Sequence, residues 1–470
     1  MTTGKVAHPT LEERQEAGKV ARERAPRLSH EGWMPADDRP DPVALLVEQD
    51  GSREQDLVPV RHGRMMVSPF AFYRGAAKIM AADLKDVPRS GLDVQLCGDA
   101  HLSNFGVFAS PERALLFDLN DFDETLPGPF EYDVARLAAS FTIAAQNNGF
   151  SKDDARAVTE ASIGAYRKAM REFAKMRTLD VWYSRLDAES LLAKAASAAS
   201  KREQNALATG EKVLEKARTK DSLQALSKLT EVVDGHRRII SAPPVVVPAR
   251  DLYGTYGMSS DEVHRAVHGM LRAYRSTLTN DRRHLLERFH LVDLARKIVG
   301  VGSVGTRAWI VLLEGRDGED PLFLQVKQAT RSVLEDHLPT SRYRQPGERV
   351  VQGQRLMQAA SDIFLGWTKG VQAGIYYYWR QLRDMKGSSD PERMIPAAMG
   401  FYARACGWTL ARAHARSGDA VAIAAYLGKG REFDHAMGDF AVRYAEQNER
   451  DYEVFVAAIR AGKLEATEGI

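Results

Sequence analysis

Apolar and polar positions along the chain divide it into helical and strand-bearing stretches. Residues 69–84 (PFAFYRGAAKIMAADL) have helical spacing, with Pro69 suited to a first turn. Val94-Gln95-Leu96-Cys97 reads as a short buried strand running into the Gly98-Asp99 turn, and residues 114–121 (ALLFDLND) read as a second strand. From Val134 to about Thr230 the pattern is helical, rich in Ala, Lys and Glu and without proline. Few aromatics fall in 189–230, which predicts a solvated helical hairpin there. Residues 241–248 (SAPPVVVP) interrupt the pattern, because paired prolines cannot continue a helix. Helical spacing returns over 259–290, with Ser259-Ser260-Asp261-Glu262 as its cap.

At Leu291 the pattern changes to valine-rich strands, glycines and the Gly315–Gly318 turn. This predicts a small sheet as far as residue 327, followed by a helix over 329–337. The stretch 362–380 reads as two strands joined by a glycine-containing turn, and helices near 392–416, 418–427 and 433–462 close the chain. Residues 1–62 are polar and rich in Arg, Glu, Asp and Pro, and read as a loosely packed leader with a short helix at its start. The organisation expected is a leader over 1–62, a helical lobe over 63–290 with a helical insertion at about 189–240, a β-rich lobe over 291–388, and C-terminal helices over 389–470.

Composition narrows the classes. At 470 residues the chain exceeds what one hydrophobic core serves. A net charge of +2 gives no global electrostatic reason to expect nucleic acid. Two cysteines, Cys97 and Cys406, are too few for a disulfide framework or a cysteine-built zinc site, so a reducing cytoplasm is expected. No window approaches the run of about 20 apolar residues that spans a membrane, and the first residues lack the apolar stretch of a signal peptide.

Two segments carry chemistry. Gly300-Val301-Gly302-Ser303-Val304-Gly305 follows a strand and precedes another, and Lys327 ends the apolar run Leu322-Phe323-Leu324-Gln325-Val326. In a nucleotide lobe such glycines let backbone approach phosphate oxygens and the lysine neutralises them. A dinucleotide-binding loop would need a helix at the third glycine, which the run Thr-Arg-Ala-Trp-Ile-Val does not suit. The plainer reading is a tight hairpin using glycine for positive φ. An unpaired ammonium is expensive to bury, so Lys327 either faces solvent or pairs with a carboxylate, for which Glu335 is the candidate.

The second segment holds Asp99, His101 and Asn104, followed by Asp118, Asp121 and Asp123. Phosphoryl transfer needs a carboxylate near the attacking hydroxyl and oxygen ligands for magnesium. Asp99 suits the base, Asn104 a metal ligand, and Asp121 the main metal carboxylate, with Asp118 the alternative and Asp123 in the same cluster. Asp118, Asp121, Asp123 and Glu124 repel one another unless a cation sits among them. The plainer reading has these acids capping turns. His101 is a candidate base or metal ligand, or else organises the loop. Asp133 begins a helix, where its carboxylate caps the helix or holds the Asp99 loop, and Arg136 is placed to pair with it.

Cys97-Gly98-Asp99-Ala100-His101-Leu102-Ser103-Asn104, with Asp121-Phe122-Asp123 and Tyr132-Asp133, resembles the catalytic half of aminoglycoside and choline phosphotransferases. The resemblance implies Asp99 as catalytic base and Asn104 and Asp121 as magnesium ligands. Residues from about Arg64 to Ala415 are also similar to an uncharacterised bacterial domain-of-unknown-function family (number 2252), through GDAHLSNFG, NDFDE, GVGSVG and LQVKQA. The fold expected is α+β, a protein-kinase-like two-lobed fold, largely helical outside a small antiparallel sheet.

This reading requires a circularly permuted chain order or a different closure of the fold, since the glycine loop follows the Asp99 loop by about two hundred residues. Residues 398–418, or else 69–84, take the place of the helix that normally precedes the catalytic loop. The function expected is an ATP- and magnesium-dependent phosphotransferase, with adenine at 381–387 and a small-molecule or protein acceptor chosen by 140–290. Nucleotidyl transfer, nucleotide binding without turnover, and metal-dependent hydrolysis through Asp99, His101, Asp118 and Asp121 are the alternatives.

Overall fold

A computed structural model describes residues 7–198, 204–254, 257, 259–298, 300–382, 385–387 and 389–469. The architecture is α+β, about half helical, with small antiparallel sheets. Valine-, leucine- and aromatic-rich runs build the largest sheet from β7 (Val246–Pro248), β8 (His290–Lys297), β9 (Ala308–Glu314), β10 (Pro321–Gln328), β11 (Gly366–Lys369) and β12 (Tyr376–Gln381). Its order is β11-β12-β10-β9-β8-β7, which places β10 in the interior with every residue buried.

Strand periodicity then sorts β10 between two faces. Leu324 and Val326, with Val311, Tyr377 and Trp379, pack against Tyr274 and Leu286 of the helices Ser260–Arg275 and Asn280–Leu286 and against Leu278 of the turn between them. Phe323 turns to the other face, where Ile310 and Leu312 meet the helix Ser222–Leu229. Gln325 and Lys327 share that second face, opposite Arg380 and Tyr378 of β12.

The larger core gathers around the helix Phe130–Asn147, buried at every position from Phe130 to Ala145. A helix without a polar face must be covered on all sides, and here Lys152–Phe173, Pro396–Ser417 and Glu432–Arg460 contribute to that cover. Two short ladders lie beside it: β1 (Asp93–Leu96) with β4 (Leu126–Pro129), and β2 (Phe105–Ala109) with β3 (Leu115–Leu119).

Three expectations need correction. The leader is not loosely packed: Leu11–Arg24 lies on Ala420–Leu427, where Gly18 permits close approach, since a Cβ there would meet Ala422 O at 2.2 Å. Ion pairs hold this polar segment where apolar surface is scarce, as when Arg39 joins Asp83 and Asp451. The segment expected to end a helical insertion contains a hairpin, β5 (Thr230–Val233) and β6 (His236–Ile239), around Asp234-Gly235, both at positive φ. Beyond it β7 joins the main sheet before Leu291, with its proline on the edge strand where a missing donor is tolerated. Finally, 329–337 holds only the 3-10 turn Val333–Asp336, and the helix on this side is Pro346–Met357.

Glu131 sits in the first turn of the most buried helix. Its Oε1 accepts from Ser90 N at 2.8 Å, while Oε2 is buried without a hydrogen-bond partner among the described residues. Burial raises its pKa from 4.5 to about 7. The native state therefore holds this proton more tightly than the unfolded chain, and stability present below about pH 4.5 is lost as pH rises through about 7. Thermal melts between pH 5 and 8 should show Glu131→Gln losing less Tm with rising pH than the parent. Parallel curves would refute this.

Candidate functional site

The Asp99 loop is held from behind. Leaving β1, Cys97 N and Gly98 N donate to the Asp133 carboxylate at 2.8 and 3.0 Å, and His414 Nε2 lies 3.2 Å from the same group. Asp133 thus takes the loop-holding role. Gly98 has φ of +86°, and a Cβ there would meet Glu124 O at 2.3 Å, so both conformation and space require glycine. From the helix Pro396–Ser417, Tyr402 OH donates to Leu102 O and Phe105 O, and Ser417 Oγ accepts from Gln95 N. That helix backs the loop, whereas 69–84, divided at Ala76 into Pro69–Gly75 and Ala77–Leu84, flanks the cleft in front of it.

Because Asp133 is committed to the loop, Arg136 pairs with Asp99 instead, which corrects the expected Asp133–Arg136 pair. Its Nε and Nη2 approach Asp99 Oδ1 at 2.8 Å, and its guanidinium lies 3.8 Å from the centre of the Tyr73 ring. Asp99 Oδ2 faces His101 Nε2 at 3.7 Å. Burial lowers the His101 pKa to about 4, so the ring is neutral at neutral pH, and its Nδ1 has no hydrogen-bond partner among the described residues. Asn104 Nδ2 donates to Asp99 O at 2.6 Å, and its backbone carbonyl accepts from Asn120 N, tying the loop to the end of β3.

Lys327 reaches the same place from β10. Its side chain is 2% exposed, its Nζ lies 3.5 Å from Asp121 Oδ2, and it forms a direct ion pair with Asp123. Burial opposes the ammonium, yet Asp121 and Asp123 together hold its pKa well above the ordinary lysine value. Burial also pushes Asp121 up, but Lys327 and Arg380 outweigh it, and the carboxyl lies below its usual range. For Asp123, burial and the neighbouring Asp121 prevail over Lys327, and it lies above. Tyr378 OH donates to Asp123 Oδ1 at 2.8 Å, and Arg380 Nη1 donates to Asn120 O at 3.2 Å.

Two predicted residues do other work. Glu335 does not pair with Lys327: its carboxylate accepts from Ser332 N and Ser341 N and caps the 3-10 turn. Asp118 does not line the cleft. It is 1% exposed, bound to Arg412 and to Ala359 N, because its place within β3 directs it into the core. Lys327 and Arg380 supply positive charge beside Asp121, and Lys327 beside Asp123. Among the described residues no group of three His, Cys, Asp or Glu side chains is arranged to hold a metal.

The glycine loop faces these acids. Gly300 and Gly305 have φ of +66° and +86°. The loop is docked on the N-terminal helices: Arg64 donates to Gly300 O, Arg53 to Val304 O, and Glu54 N to Gly305 O. A Cβ on Gly302 would stand 2.9 Å from Arg74 O, and Ser303 Oγ lies 3.5 Å from Asp123 Oδ2. Between loop and acids lies a cleft of about 330 Å³, bordered by Asp99, His101, Asn104, Asp121 and Asp123 on one side and Gly300, Gly302 and Ser303 on the other. Lys327 lies just beneath its acidic wall.

The segment 381–387 is otherwise engaged than expected. Gln381 N donates to Asp362, Leu382 N to Phe323 O, Met385 N to Lys220 O and Gly387 N to Val107 O. These donors are satisfied by protein acceptors and offer nothing to an adenine edge; Arg383 and Asp384 lie outside the described residues.

Sequence reasoning missed Arg53 and Arg74, which line the cleft, and Arg349 of Pro346–Met357, which clamps Asp123 O, Thr125 O and Thr330 O. The signal for Arg74 was present as a lone cation in the apolar stretch Phe-Ala-Phe-Tyr-Arg-Gly-Ala-Ala. Gly98→Ala, by strain and overlap with the Glu124 backbone, should cost about 2 kcal/mol or more in denaturant unfolding; an unchanged midpoint would refute the stated geometry. No curated protein and no solved structure matches the chain. Over residues 53–458, a span that includes both walls of the cleft, the chain matches and belongs to the family described as uncharacterized protein conserved in bacteria (DUF2252).

Proposed function

We propose that this protein is an ATP- and magnesium-dependent phosphotransferase with a kinase-like, circularly permuted arrangement, acting on an acceptor hydroxyl. The observation that carries the reading is the meeting of Lys327 with Asp121 and Asp123 beside Asp99, Asn104 and the glycine loop, although the two segments lie about two hundred residues apart. Catalysis of phosphoryl transfer is mostly positioning and charge stabilisation, and these are the groups it uses.

The oxygen donors suit magnesium. Asn104 has committed its amide nitrogen and keeps its carbonyl oxygen, and the Asp121 side chain is 30% exposed at the cleft. One or two protein oxygens completed by phosphate oxygens is the usual magnesium arrangement, which is compatible with the lack of a three-residue cluster among the described residues. When bound there, the ion offsets polyphosphate charge. Lys327 is the cation for the phosphate chain. Arg136 occupies Asp99 Oδ1 and leaves Oδ2 to take the acceptor's proton, while the acceptor oxygen bonds to the γ-phosphorus and the β–γ bridge breaks to release ADP.

Calorimetry should find magnesium-dependent ATP binding, weakened at least about tenfold in Lys327→Ala and in Asp121→Ala. Asp99→Asn should keep that binding and lose about 10²-fold or more in transfer from γ-labelled ATP. Label transferred from the α-position instead would mean nucleotidyl transfer. Normal ATP affinity in both binding variants would refute the proposal.

A further inference from the structure

Cations line the cleft as well as acids: Arg53, Arg74 and Lys78 from the N-terminal half, and Arg331 from the segment after β10. Most cations around the cleft already hold a carboxylate. Lys78 pairs with Glu48 and Asp336, Arg331 with Glu335 and Asp336, Arg136 with Asp99, and Lys327 with Asp121 and Asp123.

Arg74 differs. Among the described residues no carboxylate pairs with its guanidinium, and its Nε is buried without a hydrogen-bond partner. Burial of a cation without a paired carboxylate carries a desolvation cost, which Glu392 and Asp99 acting at a distance offset only in part, so that burial holds its pKa below the ordinary arginine value. Arg53, which lines the same cleft, is 6% exposed and lies 3.4 Å from Asp50, a carboxylate also held by Arg61 at 2.8 Å, so two guanidinium groups share one negative charge. The backbone of Arg74 lies against Gly302, and the N–H groups of Gly302 and Ser303 take no acceptor among the described residues. Unengaged amides beside a planar cation make an oxyanion site.

We infer that Arg74 is the guanidinium of a phosphate-binding subsite, completed by Arg53 and by the N–H groups of Gly302 and Ser303. The subsite goes beyond the nucleotide reading, because any ligand presenting a phosphate group to these donors satisfies it. It also accounts for the docking of the loop on the N-terminal helices, which brings the Arg74 backbone against Gly302.

The test titrates the full chain with inorganic pyrophosphate, without metal. The parent protein should bind it, Arg74→Gln should weaken binding at least about tenfold, and Arg74→Lys should fall between. Arg177→Gln, on an exposed helix end, should match the parent. No pyrophosphate binding by the parent, or equal affinity in Arg74→Gln, overturns the inference.

Should Arg74→Gln fail to fold, the parent is treated with phenylglyoxal and its peptides weighed. Pyrophosphate should protect Arg74 from modification, and an unprotected Arg74 overturns the subsite. Pyrophosphate binding that depends on Arg74 in a protein that does not bind magnesium-ATP would keep this inference and end the nucleotide reading. Magnesium-ATP binding that depends on Lys327, with pyrophosphate binding indifferent to Arg74, would do the reverse.

Discussion

An ammonium taken out of water must meet negative charge or be neutralised, because its desolvation costs several kcal/mol. Lys327 ends a central strand whose every residue is buried, so its charge has to be met inside the protein. Asp121 and Asp123 meet it, and they belong to the turn after β3, in the other half of the molecule. One ion pair therefore sets how the six-stranded sheet sits on the helical core. Tyr378, Arg380 and Arg349 add hydrogen bonds along the same seam.

Around that seam the cleft carries both signs of charge. Asp99, Asp121 and Asp123 line it, as do Arg53 and Arg74, and its glycine loop is fastened to the N-terminal segment. The acidic wall is rigid from behind, since Asp133 holds two backbone N–H groups of the Asp99 loop and Tyr402 holds two carbonyls. A site that handles phosphate and a cation together needs both signs in fixed places, and groups locked before the ligand arrives lose little on binding it.

Much of this was legible where local chemistry decides the outcome. Strand alternation around Val94 and from Leu291 onward, together with proline and glycine punctuation, located β1, β8–β12 and the three C-terminal helices to within a few residues. Asp99, Asn104, Asp121 and Asp123 were recognisable because their spacing has a chemical reason, and all four border the cleft.

What escaped was decided by long-range packing. Asp118 has the same type as Asp121 but alternates inward, towards Arg412, a residue 294 positions away. Glu335 lies near Lys327 along the chain, but the carboxylates that meet the ammonium are those of Asp121 and Asp123. The Asp234-Gly235 hairpin carried a readable turn signal, overlooked because the surrounding helical pattern was extended across it. Arg74 reads as one cation on a helix, and only the fold reveals that no carboxylate among the described residues forms an ion pair with it.

The claim on which the account depends is that Lys327 and Asp123 are energetically joined across the two halves. A double-mutant cycle with Lys327→Met and Asp123→Asn, read by denaturant unfolding, measures that directly. Lys327→Met leaves the buried Asp123 without its cation, Asp123→Asn leaves Lys327 with Asp121 alone, and the double variant should recover at least about 2 kcal/mol of the summed losses. Strictly additive losses would mean that the two residues do not meet, and the cleft described here would not exist.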